Sequence, residues 1–330
     1  KKSIFVEPGV SALCPVAETA AAANQRPMTR TSLHLCATLL VSATRAMVTT
    51  TTAGVLNLRP VSPSLPGIYR SGELDRASEA DAAHLLDSLR IRTVIDLRNQ
   101  DEIDKAAAKT TPVGRALMTA FSEGAPVGPG QLASEGTGRL RRHHVPLLTD
   151  IEGFWSELGS RLGPAKKAEA VLYRTVDARR YDQLLYDELA RQKHELLYTV
   201  MLRSAGTEAW NRVLRLAADT SGGNVLIHCA KGKDRTGVLS ALLQHAVGDS
   251  EEDIVAAYAA SAELLNEPEP SGSPAPRGEV DWTALRGSPA PAMSATLAWV
   301  RREYGTLDGF LDSVGAGEAW ASELRWLSKR

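Results

Sequence analysis

The chain has 330 residues, enough for one large or two small domains. Hydrophobic residues make up 43% of it and the formal net charge is -1, which allows a full core and excludes a general nucleic-acid binder, whose basic excess would be plain. Three cysteines, Cys14, Cys36 and Cys229, form neither a disulfide framework nor a metal cluster, and no apolar run is long enough to span a bilayer.

Residues 1–53 stand apart. They are rich in Ala, Thr and Ser, with Arg26, Arg30 and Arg45 against Glu7 and Glu18. An organelle transit segment and a plain disordered extension share this composition, so the region is set aside from the fold. Val55 to Arg59 and Ile68 to Arg70 read as short extended pieces around a Pro/Ser/Gly turn. Ser78 precedes Asp81 at capping-box spacing, and a helix from Glu79 to Arg90 would carry Ala82, Leu85, Leu86 and Leu89 on one face.

Thr93 to Leu97 is β-branched and apolar and reads as a central parallel strand. Ligand sites in parallel α/β sheets lie at strand carboxyl ends. Asp96 and Arg98 are therefore near-site candidates, with a mutual brace between neighbouring loops as the alternative. Residues 121–138 are rich in Gly, Ser and Pro and read as a mobile loop. His144 to Leu148 reads as a second strand, followed by Asp150. Residues 151–205 are helical and charged, with amphipathic spacing at Leu184, Leu185, Leu196, Leu197, Val200 and Met201. Trp210 to Leu216 is a helix leading into the turn before Asn224.

Residues 225–237, Val-Leu-Ile-His-Cys-Ala-Lys-Gly-Lys-Asp-Arg-Thr-Gly, carry the chemistry. Val225 to Ile227 predicts a short buried strand. Thr236 to Val247 predicts a helix with Val238, Leu239, Leu242, Leu243 and Ala246 on its apolar face. A tight turn from strand to helix aims backbone N–H groups at one point, where the helix dipole adds positive potential. Cys229 sits at the floor of that anion site. A helix N-terminus with nearby cations lowers a cysteine pKa, and the thiolate is the nucleophile. Arg235 can grip two phosphate oxygens with its planar fork. Gly232 lets the backbone approach closely. Ala230, Lys231, Gly232 and Lys233 line the loop, the two lysines adding charge. The Thr236 hydroxyl can donate to the thiolate when it leaves. His228 braces the loop rather than acting as the base.

The stretch His228 to Gly237 resembles the signature of the protein tyrosine phosphatase superfamily, His-Cys-x5-Arg-Ser/Thr. Its Gly-Lys-Asp-Arg-Thr-Gly ending is similar to the atypical branch of tyrosine and lipid phosphatases. Gly67 to Arg76, Ile91 to Arg98 and Pro289 to Phe310 share that similarity. The resemblance implies an α/β fold, a small central parallel sheet flanked by helices, in one catalytic domain over residues 54–330. It also implies that the helices within residues 151–205 cover the active site as a lid, with an ordinary packed layer as the alternative.

Such enzymes protonate the leaving oxygen with an acid that most of them carry in a Trp-Pro-Asp loop, absent here. Asp234, inside the phosphate loop, and Asp150, after a strand, are the two candidates, Asp234 being preferred. Asp150 could equally cap the helix that begins near Phe154. The implied reaction is phosphomonoester hydrolysis through a phospho-cysteine, without metal or organic cofactor. The expected substrate is a phosphotyrosyl protein, with a phosphoinositide as a second substrate because Lys231 and Lys233 flank Gly232.

After the loop, Ser250 to Leu265 predicts a helix, and residues 267–280 a flexible Pro/Ser/Gly loop. Met293, Leu297, Val300 and Tyr304 predict a helical stripe ending at Gly305, and Leu307 to Val314 and Glu318 to Leu327 two short helices. A free thiolate suits a reducing compartment, so the expected location is intracellular, cytoplasmic unless residues 1–53 address an organelle. Two rival classes stay in view. A catalytically dead phosphate-binding module would keep the loop without turnover, and a rhodanese-like sulfurtransferase would also use a loop cysteine. The entry Arg-Thr-Gly into a helix fits a phosphatase better than the latter. The absence of a Cys-x-x-Cys pair speaks against a thiol oxidoreductase.

Overall fold

The strand that delivers Cys229 lies at the middle of a five-stranded sheet. The computed structural model describes residues 54–119, 140–148, 151–266 and 286–327, all within a unit spanning residues 47–330. The strands are β1 (Arg59–Pro60), β2 (Ile68–Ser71), β3 (Ile91–Asp96), β4 (Arg141–His144) and β5 (Asn224–His228), in the order β1-β2-β5-β3-β4. β2, β5, β3 and β4 run parallel, while β1 pairs antiparallel with β2. The central sheet is thus parallel as expected, and β1 adds one antiparallel strand at its edge. The turn between β1 and β2 is too short for the crossover that a parallel pair requires.

Side chains alternate across the sheet and divide the core in two. Ile91 and Val94 of β3 and Leu226 of β5 face one layer. That layer contains α1 (Glu79–Ala83), whose last turn continues in π geometry over His84–Ser88, and α3 (Pro112–Thr119). The N–H of Leu89 reaches back to the His84 carbonyl, the five-residue step that defines that turn. α2 (Gln100–Ala107) follows β3. On the other face, Ile68, Ile95, Val225 and Ile227 pack into the larger core. That core holds α7 (Gly206–Ala218), α8 (Asp234–Val247), α9 (Glu251–Leu264), α10 (Ala290–Tyr304), α11 (Leu307–Ser313) and α12 (Glu318–Leu327). α8 is enclosed by α9, α11, α12 and the helix Ala178–Ser204, which is why it is buried nearly all round.

Residues 151–204 form α4 (Ile151–Ser160), α5 (Pro164–Val176) and α6 (Ala178–Ser204). Leu158, Leu162, Ala170 and Leu185 make a small core of their own with Leu196 and Val200. Tyr198, Met201 and Leu202, from the last turns of α6, belong to the main core. The 27-residue helix α6 therefore ties the α4–α5 pair to the centre of the molecule.

Two of the boundaries that moved bear on the site. The helix expected to start at Thr236 starts at Asp234, so Asp234 and Arg235 are its first residues. The strand expected at His144 to Leu148 is Arg141–His144. Val145 and Leu147 are buried as their apolar character suggested, yet the ladder runs along the polar residues before them. This is an edge strand with half-buried faces, where charged residues are tolerated. Residues 1–53, the loop at 121–138, the loop at 267–280 and Asp150 lie outside the described residues. No helix among the described residues is long and apolar enough to cross a membrane.

Candidate active site

The site begins with carbonyls that point away from it. The His228 carbonyl accepts from the Leu97 N–H at 2.9 Å, and that of Ala230 from the Glu73 N–H at 2.9 Å. His228 Nδ1 lies 3.3 Å from the Cys229 carbonyl, close enough for a weak bond. The Asn57 side-chain amide donates to the carbonyls of Lys231 at 3.1 Å and Gly232 at 2.9 Å. Arg70 Nη2 donates to Gly232 at 2.7 Å and, more weakly, to Lys233 at 3.5 Å. A peptide unit held by its carbonyl on one side presents its N–H to the other. The scaffold thus turns the loop amides inward around Cys229, a nest for an anion.

Gly232 is required twice over. Its φ is +66°, and a Cβ there would collide with the Ser71 carbonyl of β2. The loop passes so close to β2 that only hydrogen fits.

Behind the loop lie two buried arginines. Arg59 donates to the Ala257 carbonyl and Ser261 Oγ, each at 2.9 Å, and to the Asn57 side-chain oxygen. Burial and the neighbouring Arg70 charge lower its pKa, but a guanidinium remains protonated. Burial lowers the Arg70 pKa to about 10, against the opposing pull of negative charge at Cys229 and of Tyr258, Tyr198 and Asp234. Arg70 therefore brings positive charge beneath the anion site.

Arg235, on the first turn of α8, is gripped end-on by Glu102 of α2. Nη2 donates to Oε1 at 2.6 Å and Nη1 to Oε2, while Nη1 also reaches the Leu97 carbonyl at 3.4 Å. That accounts for three of its five N–H groups. Among the described residues the Nε–H and the second Nη2 hydrogen have no partner; they lie on one edge of the plane, spaced for two oxygens of one anion. Burial works against the Arg235 charge, but Glu102 and Cys229 outweigh it and raise the pKa above its ordinary value. Burial would likewise raise the Glu102 carboxyl, and Arg235 reverses this and lowers it. Glu102 also accepts from the Asn99 N–H at 2.9 Å, so the cap of α2 fixes its direction.

The predicted site residues divide. Cys229 is buried at the head of the loop and is a free cysteine. Thr236 is buried, and its hydroxyl has no hydrogen-bond partner among the described residues. Ala230 is half-buried. Lys231 is exposed, whereas Lys233 is buried and so does not act as a surface cation. Asp234 accepts from the Tyr198 hydroxyl at 2.6 Å.

Asp96 and Arg98 are both buried and paired with one another. Arg98 is fully buried, with Nε and Nη2 each 3.0 Å from Asp96 and Nη1 2.7 Å from Asp75. Arg142 of β4 also binds Asp96. Burial opposes the Asp96 charge, yet His228, Arg98 and Arg142 together hold its pKa well below the carboxylate range. This pair is the brace that the sequence left as the alternative.

Sequence reasoning missed Glu102, Tyr198, Tyr258, Arg70 and Asn57. Glu102 stands three residues after Asn99, a capping-box spacing just past a strand end, and that signal was there to use. Arg70 lay in a quoted motif without a role. Nothing in the sequence marks Tyr198 or Asn57.

The family model described as Tyrosine phosphatase family matches residues 66–327. A tyrosine-protein phosphatase of Nostoc commune is 34% identical over 125 residues, covering 34% of this chain and 40% of that protein. A triple specificity protein phosphatase, PtpB, of Mycobacterium tuberculosis is 28% identical over 293 residues, covering 82% of this chain and 96% of that protein. With most of its length matched, and the anion nest, cysteine and arginine inside the matched region, the chain belongs to the tyrosine phosphatase family.

Proposed function

We propose that the chain is a cysteine-dependent phosphatase, acting first on phosphotyrosyl protein, with Cys229 as nucleophile and Arg235 as the phosphate clamp. The observation that carries this reading is the open edge of Arg235, left by its end-on pair with Glu102, beside a loop whose carbonyls at His228, Ala230, Lys231 and Gly232 are held by the scaffold. Cys229 Sγ attacks phosphorus while the P–O bond to the leaving group breaks. Asp234 gives its proton to the departing oxygen. Water then attacks the phospho-cysteine, Asp234 takes a proton from it, and the P–S bond breaks. The unpartnered Thr236 hydroxyl supports a role in receiving the departing thiolate. Arg235 and the loop amides stabilise the equatorial oxygens in both steps.

Phosphoinositide hydrolysis is the second activity. The exposed Lys231 beside the anion nest supports it, and the name of the mycobacterial relative, a triple specificity phosphatase, fits a site of broad acceptance.

Cys229→Ser tests the covalent step. Turnover of p-nitrophenyl phosphate should vanish with the fold intact, and a retained rate would end the mechanism. The acid is assigned by leaving group: Asp234→Asn should lose far more on phenyl phosphate than on p-nitrophenyl phosphate. Should only Asp150→Asn show that selectivity, Asp150 is the acid.

A further inference from the structure

The Asp234 carboxyl is held by a pair of tyrosines from two other helices. Tyr198, near the end of α6, places its hydroxyl 2.6 Å from Asp234 Oδ1. The same hydroxyl lies 2.6 Å from that of Tyr258 on α9, with the rings edge to face at 6.0 Å. Both tyrosines are buried, and the Tyr258 ring seats against Gly237, where an added Cβ would press on it at 3.0 Å.

A phenol has one hydrogen to give. Tyr198 gives its hydrogen to Asp234, so Tyr258 must donate to Tyr198. The chain therefore runs from Tyr258 through Tyr198 to Oδ1, each bond polarising the next. Oδ1 is then an acceptor whether Asp234 is ionised or not. When the carboxyl is protonated, the proton resides on Oδ2 and nothing need rearrange.

We infer that Tyr198 is a positioning residue for the reaction, with Tyr258 behind it. It fixes the rotation of the Asp234 carboxyl and selects Oδ2 as the oxygen that gives and takes the catalytic proton. This rests on the reading of Asp234 as the acid. Burial, then Asp234 and Tyr258, push the Tyr198 pKa well above its ordinary value, so the donor persists across the working range. The other charges facing this carboxyl are Arg70 of β2 and Arg235 of α8. Neither changes protonation near neutrality. The inference also links the α4–α5 pair to chemistry, because that pair packs on Leu196 and Val200, the residues on either side of Tyr198 in α6.

The test is Tyr198→Phe, which removes one oxygen and keeps the ring, measured beside Asp234→Asn and Tyr258→Phe. Its loss on phenyl phosphate should exceed its loss on p-nitrophenyl phosphate by roughly tenfold, a fraction of what general acid catalysis supplies. Without its donor the Asp234 carboxylate is less stable, so the basic limb of kcat/KM should move to higher pH. Tyr258→Phe should move both readouts the same way and less far. Residual turnover on p-nitrophenyl phosphate reports a folded variant. Equal losses on the two esters with an unmoved limb, while Asp234→Asn stays selective, would overturn the inference and leave the acid standing. Absence of selectivity in Asp234→Asn would overturn both.

Discussion

Glu102 and Arg235, 133 residues apart in sequence, meet end to end, each oxygen of one against a nitrogen of the other. The pair holds the guanidinium at a fixed angle and leaves one edge open. A free arginine would have to lose its rotamer freedom on binding phosphate, and Glu102 removes that freedom beforehand.

Glu102→Gln keeps the shape and one acceptor but loses the charge and the second bond. Charge-assisted hydrogen bonds are worth about 1.5–3 kcal/mol each, so kcat/KM on p-nitrophenyl phosphate should fall roughly 10–100-fold. Inhibition by inorganic phosphate should weaken in parallel. Unchanged phosphate affinity would mean that Arg235 is oriented without Glu102.

Asn57 carries the back of the loop. Its φ of 59° lies in the left-handed region, where asparagine is among the few side chains tolerated. Its amide holds two loop carbonyls and its oxygen takes Arg59. Asn57→Ala leaves buried groups unsatisfied, and the expected cost is about 1–3 kcal/mol in urea unfolding. Activity should fall with it even at temperatures where the variant is folded, because the Lys231 carbonyl loses this bond and the Gly232 carbonyl keeps only Arg70. A variant that loses stability but keeps full kcat/KM would show that the loop shapes itself.

His228 should govern stability between pH 6.5 and 4. Burial lowers its pKa from 6.5 to about 4, against the pull of Asp96. The unfolded chain accepts a proton near 6.5 that the folded chain refuses until about 4. Stability is therefore unaffected above that window and falls as pH drops through it, by an amount on the order of 3 kcal/mol. Asp96 also has a depressed pKa, but its loss begins only as pH falls past 3.8. Urea midpoints for His228→Gln should be flatter than wild type from pH 6.5 to 4 and steepen below. A slope in that window equal to wild type would assign it to other groups.

What could be read from sequence was whatever repeats locally. The apolar run before Cys229 and the 3.6-residue stripe after it gave strand, loop and helix, and with them the anion site. β4 was displaced because Val145 and Leu147 are the apolar residues there, while the paired residues Arg141–His144 are polar. Arg142 is polar for a reason seen only in three dimensions, its pair with Asp96. Glu102 and Tyr198 act on residues 133 and 36 positions away, and no periodicity reports such a pairing. Tyr198 stands among Leu196, Leu197, Val200 and Met201, where a buried aromatic reads as core. Its ring is core, and only its hydroxyl meets Asp234.

If the site takes both proposed substrates, Lys231 should distinguish them and Lys233 should not. An inositol phosphate carries further negative charge beside the scissile group, whereas a phosphotyrosyl peptide presents one dianion on an apolar ring. Lys233 is buried in the loop and serves both substrates alike. Lys231 is exposed, and a cation there gains only where a second anion sits within a Debye length, about 8 Å at physiological salt. Lys231→Ala should therefore reduce kcat/KM on short-chain phosphoinositides about 3–10-fold more than on a phosphotyrosyl peptide, a difference of order 1 kcal/mol expected for an exposed charge. Raising the salt should shrink the wild-type preference and leave the variant nearly unaffected. Equal losses on lipid and peptide would assign Lys231 to the loop itself, and inert phosphoinositides would restrict the enzyme to phosphoproteins.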